Sequence, residues 1–177
     1  MIICKYKFDS SIYSNLIPEF NSGYTGYTVS DTTDGNIVTR TIECDVLPTL
    51  MRFGIIDTTP NETDREASLI EILELNTSAL TTCRSMFRGC YNLIKINVQG
   101  WNTSNVTSMY SMFYNCYNLT QLDVSNFDTS KVTTMHAMFH NCNKLTQLDV
   151  SNFDTSNVTN MYYMFNSCTK LTQLDVS

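Results

Sequence analysis

From about Leu69 onward the apolar positions keep two alternating rhythms. Leu122 and Val124 alternate with Asp123 and Ser125, a period of two that predicts a short strand. Val132, Met135, Met138, Phe139 and Cys142 then follow at i, i+3, i+6, i+7 and i+10, which predicts one buried face of a helix. Between the two, Asn126-Phe127-Asp128-Thr129-Ser130 supplies turn formers, with Thr129 or Ser130 placed to cap the helix.

The paired rhythm recurs with a period of 26 residues. LTQLDVSNFDTSKVTTMHAMFHNCNK (119–144) is followed by LTQLDVSNFDTSNVTNMYYMFNSCTK (145–170), and the motif restarts up to Ser177. Residues 93–118 are a looser copy and 67–92 a looser one still. One strand and one helix cannot bury their apolar faces alone, whereas stacked copies bury them together. The expected fold is therefore α/β, a leucine-rich-repeat-like solenoid over residues 67–177, with about four repeats and a partial one.

Residues 1–66 lack the period. Alternation at Ile2, Cys4, Tyr6 and Phe8, at Ile42, Cys44 and Val46, and at Met51, Phe53 and Ile55 predicts strands. Gly23-Tyr24-Thr25-Gly26 reads as a turn and Asp34-Gly35-Asn36 as the turn of a hairpin. This stretch is expected to be a small β-rich domain for capping or attachment, with the polar residues 58–65 linking to the array or sealing its first copy. At the other end the array stops after a strand, which leaves two expectations: a longer protein, or a second subunit in a homo-oligomer covering the edge.

The period absorbs most candidate chemistry. Cys90, Cys116, Cys142 and Cys168 share one register, as do Met86, Met112, Met138 and Met164, and Phe87, Phe113, Phe139 and Phe165. They read as columns of core side chains, and most of the seven cysteines as free buried thiols. His136 and His140 are spaced i, i+4, which suits a metal, but the motif offers no third ligand. Cys142 is expected inward and His140 outward, so the two make no catalytic pair. Asp123, Asp149 and Asp175 should stack on adjacent strands, screened by solvent and by Gln121, Gln147 and Gln173, or bridged by calcium as the less favoured alternative. Asp128 and Asp154, with Asn102 and Asn76 in earlier copies, suit turn or cap roles, and the Asn-x-Thr/Ser matches follow from the same turn chemistry. No catalytic set, cofactor or metal site is expected. The net charge of −6, with 11 scattered Lys and Arg, argues against nucleic acid, and no apolar run is long enough to span a bilayer. The opening residues also lack the apolar stretch of a signal peptide.

What varies on the constant frame is one set of surface positions. The first copy carries Arg84, Arg88 and Tyr91 there, and the second Tyr110, Tyr114 and Tyr117. His136 and His140 follow in the third copy, and Tyr162, Tyr163 and Asn166 in the fourth. Tyr110 through Asn166 are the candidate ligand-binding surface, since tyrosine offers large contact area at small entropic cost; the competing reading, favoured over it, is neutral drift on a solvated face.

The phrase LDVSNFDTSNVTNMYYMFNSC, with its strand motif and Met-Phe-x-x-Cys in register, closely resembles the BspA-like leucine-rich repeat family. That family occurs in surface proteins of gut and oral bacteria, mycoplasmas and some protists, and in phages of gut bacteria. The first copy departs from the pattern, with Cys83 for the first Met and Leu75 for the turn aromatic, as suits a capping repeat. The resemblance implies adhesion without catalysis. It leads us to expect a virion protein that joins other virion subunits and recognises a protein or glycan on a host cell. A bacterial surface adhesin is the first alternative and an intracellular protein-docking scaffold the second.

Overall fold

The computed structural model describes residues 2–10, 19–20, 27–44, 51–53 and 69–175. The alternation at Cys4, Tyr6 and Phe8 produces β1 (Ile2–Asp9), and these three side chains are fully buried. β2 (Glu19–Phe20) pairs with β5 (Met51–Arg52) in a separate two-stranded ladder. β3 (Tyr27–Asp34) and β4 (Ile37–Cys44) form the hairpin expected at Gly35-Asn36, where Gly35 takes a φ of +58°. β4 lies antiparallel along one edge of β1, and β6 (Leu69–Leu75) lies antiparallel along the other. The short β7 (Lys95–Ile96) joins β6 in parallel, so a five-stranded sheet in the order β3-β4-β1-β6-β7 runs from the N-terminal region into the repeats. Arg40 on β4 is buried, paired to Asp31 through Nε at 2.7 Å and Nη2 at 2.6 Å, and lies 5.1 Å from the Phe8 ring centre. A buried guanidinium needs this bidentate partner to offset its desolvation. Val46, Ile55, the turn at 23–26 and the stretch 58–65 lie outside the described residues.

The expected α/β leucine-rich-repeat-like solenoid is overturned. Among the described residues there is no helix, and the segment after each Asp/Asn-Thr-Ser is a run of tight turns. The N–H groups of Met86, Arg88 and Cys90 donate to the carbonyls of Cys83, Ser85 and Phe87, three residues back, not four as an α-helix requires. The alternate N–H groups, of Ser85, Phe87 and Gly89, leave the copy and donate to Tyr110, Met112 and Tyr114 of the next. Two left-handed residues per copy hold this geometry: Ser85, Ser111, Ala137 and Tyr163 in one column, Gly89, Asn115, Asn141 and Ser167 in another, with φ from 51° to 77°. A left-handed residue ends an α-helix on the spot, and for a non-glycine it costs about 1 kcal/mol. Bonds to the next copy offset that cost.

The strand half follows its period more closely, though the strands are short. β8 (Gln147–Asp149) pairs in parallel with β9 (Gln173–Asp175), and single bridges join Ser108 to Thr134 and Thr134 to Asn160. In the third copy Leu122 and Val124 are buried while Asp123 and Ser125 are exposed. The first copy is offset. The Asn97 side-chain amide donates to the Leu73 carbonyl, 24 residues back, whereas Thr107 Oγ1 donates to Thr81, 26 back. Leu93 therefore stands over Leu69 rather than Ala67, and the left-handed Gly100 (φ +80°) lies in the two extra residues of the second copy.

Packing makes the columns visible. The rings of Phe53, Phe87, Phe113, Phe139 and Phe165 stack at 5.7, 5.5, 5.6 and 5.7 Å with interplanar angles of 11° or less. Phe53 belongs to no repeat, yet its N–H donates to the Met86 carbonyl as Phe87 donates to Met112, so the N-terminal region places one residue in register on the first copy. Beside this column the thiols of Cys116, Cys142 and Cys168 donate to the carbonyls of Phe87, Phe113 and Phe139 at 3.0–3.2 Å. Thr129, expected near a helix cap, is instead a fully buried staple whose hydroxyl donates to the Asp154 carbonyl at 3.0 Å. Thr103 makes the same bond to Asp128 at 2.9 Å and also accepts the Asp128 N–H at 2.8 Å. No helix among the described residues is long and apolar enough to cross a membrane.

Candidate binding surface

The tight turns bring the variable positions to the surface as columns, because every copy repeats the same backbone. Arg84 lies 4.6 Å from the Tyr110 ring centre, Tyr110 stacks on His136 at 4.8 Å and 6°, and His136 meets Tyr162 at 6.1 Å. A second column runs from Arg88 over Tyr114 at 5.2 Å to His140 at 4.7 Å and 11°. A third contains Tyr91 and Tyr117, stacked at 5.2 Å. Because ring faces meet ring faces, the edges point outward and present phenol hydroxyls and imidazole nitrogens.

The sequence places Tyr163 and Asn166 on this surface, and the structure treats them differently from the ring columns. Tyr163 occupies the left-handed position held by the buried Ser85, Ser111 and Ala137 in earlier copies. Its ring is 47% exposed and folds back onto Tyr162 at 3.9 Å, His140 at 5.9 Å and His136 at 6.3 Å. The Tyr162 hydroxyl donates to that of Tyr163 at 3.1 Å, which raises the Tyr162 pKa above the usual tyrosine value. Asn166 is exposed in the register of His140 and accepts a bond from the Ser167 hydroxyl. Arg84 and Arg88, variable positions outside the candidate surface read from the sequence, head the two columns. The signal was there, since Arg84 and Arg88 stand 26 residues before Tyr110 and Tyr114.

His136 and His140 turn Nδ1 into the protein, where each is buried without a partner among the described residues. At His140 an unpaired buried acceptor costs less than an unpaired buried charge, which favours the neutral ring there. Burial first, and His136 second, hold the His140 pKa below the usual histidine value. Cys142 is fully buried on the other side of the turn, and burial pushes its thiol pKa far up. It is therefore a packed, protonated thiol. Burial likewise pushes the Cys83 thiol up to about 12.

On the strand side the carboxylates are tied into their own turns. Asp123 Oδ1 accepts the Ser125 N–H at 2.9 Å, and Asp149 Oδ1 accepts the Ser151 N–H at 2.9 Å and its hydroxyl at 2.6 Å. Asp128 and Asp154 do the same for Ser130 and Ser156, and Asn76 and Asn102 for Ser78 and Ser104, which is the turn role the sequence suggests. These bonds to serine hold the pKa values of Asp123, Asp128 and Asp154 below the usual carboxylate value. Among the described residues no three His, Cys, Asp or Glu side chains converge as a metal would need.

The molecule is thus a repeat protein in which a stack of turns and short strands carries ordered columns of half-buried polar aromatic side chains, ending on the exposed Tyr162 and Tyr163. Residues 62–177 match the family described as Mycoplasma protein of unknown function, DUF285, and the chain belongs to that family. No curated protein matches it, and no solved structure does.

Proposed function

We propose that this chain is a non-enzymatic binding protein that recognises a ligand on a host surface through the columns headed by Arg84 and Arg88. The observation that carries the reading is the ring stacking at 4.7–4.8 Å of Tyr110 on His136 and Tyr114 on His140. Stacked side chains have already lost most of their rotamer freedom, so a ligand that meets their edges spends little further entropy ordering them. The buried thiols are occupied in the core, and this face is where side chains change from copy to copy on a constant backbone. The resemblance to BspA-like repeats supports adhesion as the purpose of such a face. It also supports placement on a virion, with a bacterial surface as the second setting.

The test is binding of the labelled protein to intact host cells. Tyr110→Ala combined with Tyr162→Ala should lower cell binding about tenfold, the effect of removing central aromatic anchors, while thermal unfolding stays within a few degrees. Unchanged binding by that variant would remove the surface from consideration. Antibody labelling of purified particles and of cell envelopes separates the two settings.

A further inference from the structure

We infer that the opposite, strand-bearing side of the stack is a second binding site, an elongated polar groove for a carbohydrate chain that carries amino groups rather than acid groups. It goes beyond the reading above and uses none of its residues.

Three depressions of about 570, 490 and 510 Å³ follow one another along this side. The first two share Lys95, Ile96 and Asp123, and the last two share Gln147, Leu148 and Asp149, so they form one groove along the repeat axis. Copies stack about 4.8 Å apart, which gives the groove the same set of groups at each step. Gln121 and Gln147 form one row, Asp123 and Asp149 the next, and all four are exposed. Side-chain amides both donate and accept, as sugar hydroxyls do, and a carboxylate accepts from two neighbouring hydroxyls or from an ammonium group. Each carboxylate arrives pre-oriented, since its Oδ1 accepts the N–H of the serine two residues on.

Charge decides among ligands. In residues 69–175 every Asp and Glu belongs to the strand and the Asx turn that follows it, and none to the tight-turn segments 79–94, 104–120, 130–146 or 156–172. Among the described residues Lys95 is the one cation lining the three depressions, against Glu71, Asp123, Asp149 and Asp175. An acidic polymer is repelled and an amino-bearing one attracted. A peptide side chain finds less to hold here, because the apolar Ile96, Leu122 and Leu148 are buried beneath the polar rows and offer no apolar pocket.

The repeat itself supplies a gentle variant. Asn97 occupies the register of Asp123 and accepts the Gln99 N–H at 3.0 Å, so Asn at this position keeps the turn. Calorimetric titration at pH 6 would compare a glucosamine hexamer, its N-acetylated form, a galacturonate hexamer and hexalysine. The glucosamine hexamer should bind about five- to tenfold more tightly than the N-acetylated one, a plausible gain for one or two ammonium–carboxylate contacts, and the galacturonate hexamer should not bind. Asp123→Asn with Asp149→Asn should bring the glucosamine hexamer down to the affinity of the N-acetylated form and leave that form unchanged. Gln121→Ala with Gln147→Ala should weaken both. Binding of the galacturonate hexamer, equal binding of hexalysine with the same dependence on Asp123 and Asp149, or no sugar binding at all would overturn the assignment. Loss of sugar binding in Tyr110→Ala with Tyr162→Ala, but not in the groove variants, would also overturn it while leaving the aromatic face standing as the binding surface.

Discussion

The two sides of each copy are built from the same 26 residues but hold themselves together differently. On the strand side, pairing between copies is the parallel ladder of ordinary sheets, as between β8 and β9, and side chains alternate in and out. On the turn side, alternate N–H groups bond within the copy and to the next copy, with left-handed residues at each reversal. The consequence is chemical as well as geometric. The strand side collects the carboxylates, and the turn side, without any, collects arginine, histidine and tyrosine. A chain of net charge −6 thereby carries one face free of acidic repeat residues.

Several changes would break or sharpen this contrast. The largest effect belongs to the core that both sides share: Phe113→Ala removes a ring stacked on both faces and should cost about 3–5 kcal/mol in urea unfolding. A cost under about 1 kcal/mol would mean that the column does not hold the copies together. Next comes the junction of the two sides, where Thr103→Val keeps the shape but strips both bonds to the Asp128 backbone. Leaving a part-buried N–H and C=O without that partner should cost about 1–2 kcal/mol, and a neutral result would show that water replaces the hydroxyl.

The turn side can be examined by sign alone. Ser167 has φ of +62° in the column that begins with Gly89, so Ser167→Gly should raise stability by about 0.5 kcal/mol by relieving the left-handed strain. In a helix the same change would lower stability by a similar amount. A drop in the unfolding midpoint would therefore argue for the helix after all.

The smallest effect lies with the exposed turn carboxylates. Their folded pKa values lie below the ordinary 3.8, so their contribution is fully present above that value and is lost as pH falls through the folded pKa. His140, whose folded pKa is lowered, should bring a small decline in the unfolding midpoint as pH falls through about 6.5, and the carboxylates a further decline below about 4. Asp123→Asn with Asp128→Asn should flatten that decline, because Asn97 and Asn102 already hold the equivalent turns without a charge. An unaltered acid profile would assign it to other carboxylates.

Much of this was readable beforehand. The 26-residue period, the inward columns of Met, Phe and Cys, the hairpin at Gly35-Asn36, and the Asx turns at Asp128 and Asp154 all follow from local rules about apolar alternation and turn residues. The helix did not survive. Spacings of three and four residues also fit consecutive three-residue turns, and the sign against a helix was the Gly89, Asn115 and Asn141 column within the supposed helical face, the residue types that adopt left-handed φ most readily. The two-residue offset of the first copy leaves no mark on the apolar spacing, and no local pattern singles out Phe53 as the residue that extends the ring column.

The sequence determined which side chains face inward, because an apolar residue recurring in one register can be buried only if every copy turns in the same way. It also determined the separation of charge, because the period assigns each acid and each base to a side. Only the tertiary structure decided between helix and turn. An isolated helix satisfies its own N–H groups, whereas these turns leave half of theirs open, and that backbone becomes favourable only when the next copy supplies the carbonyls.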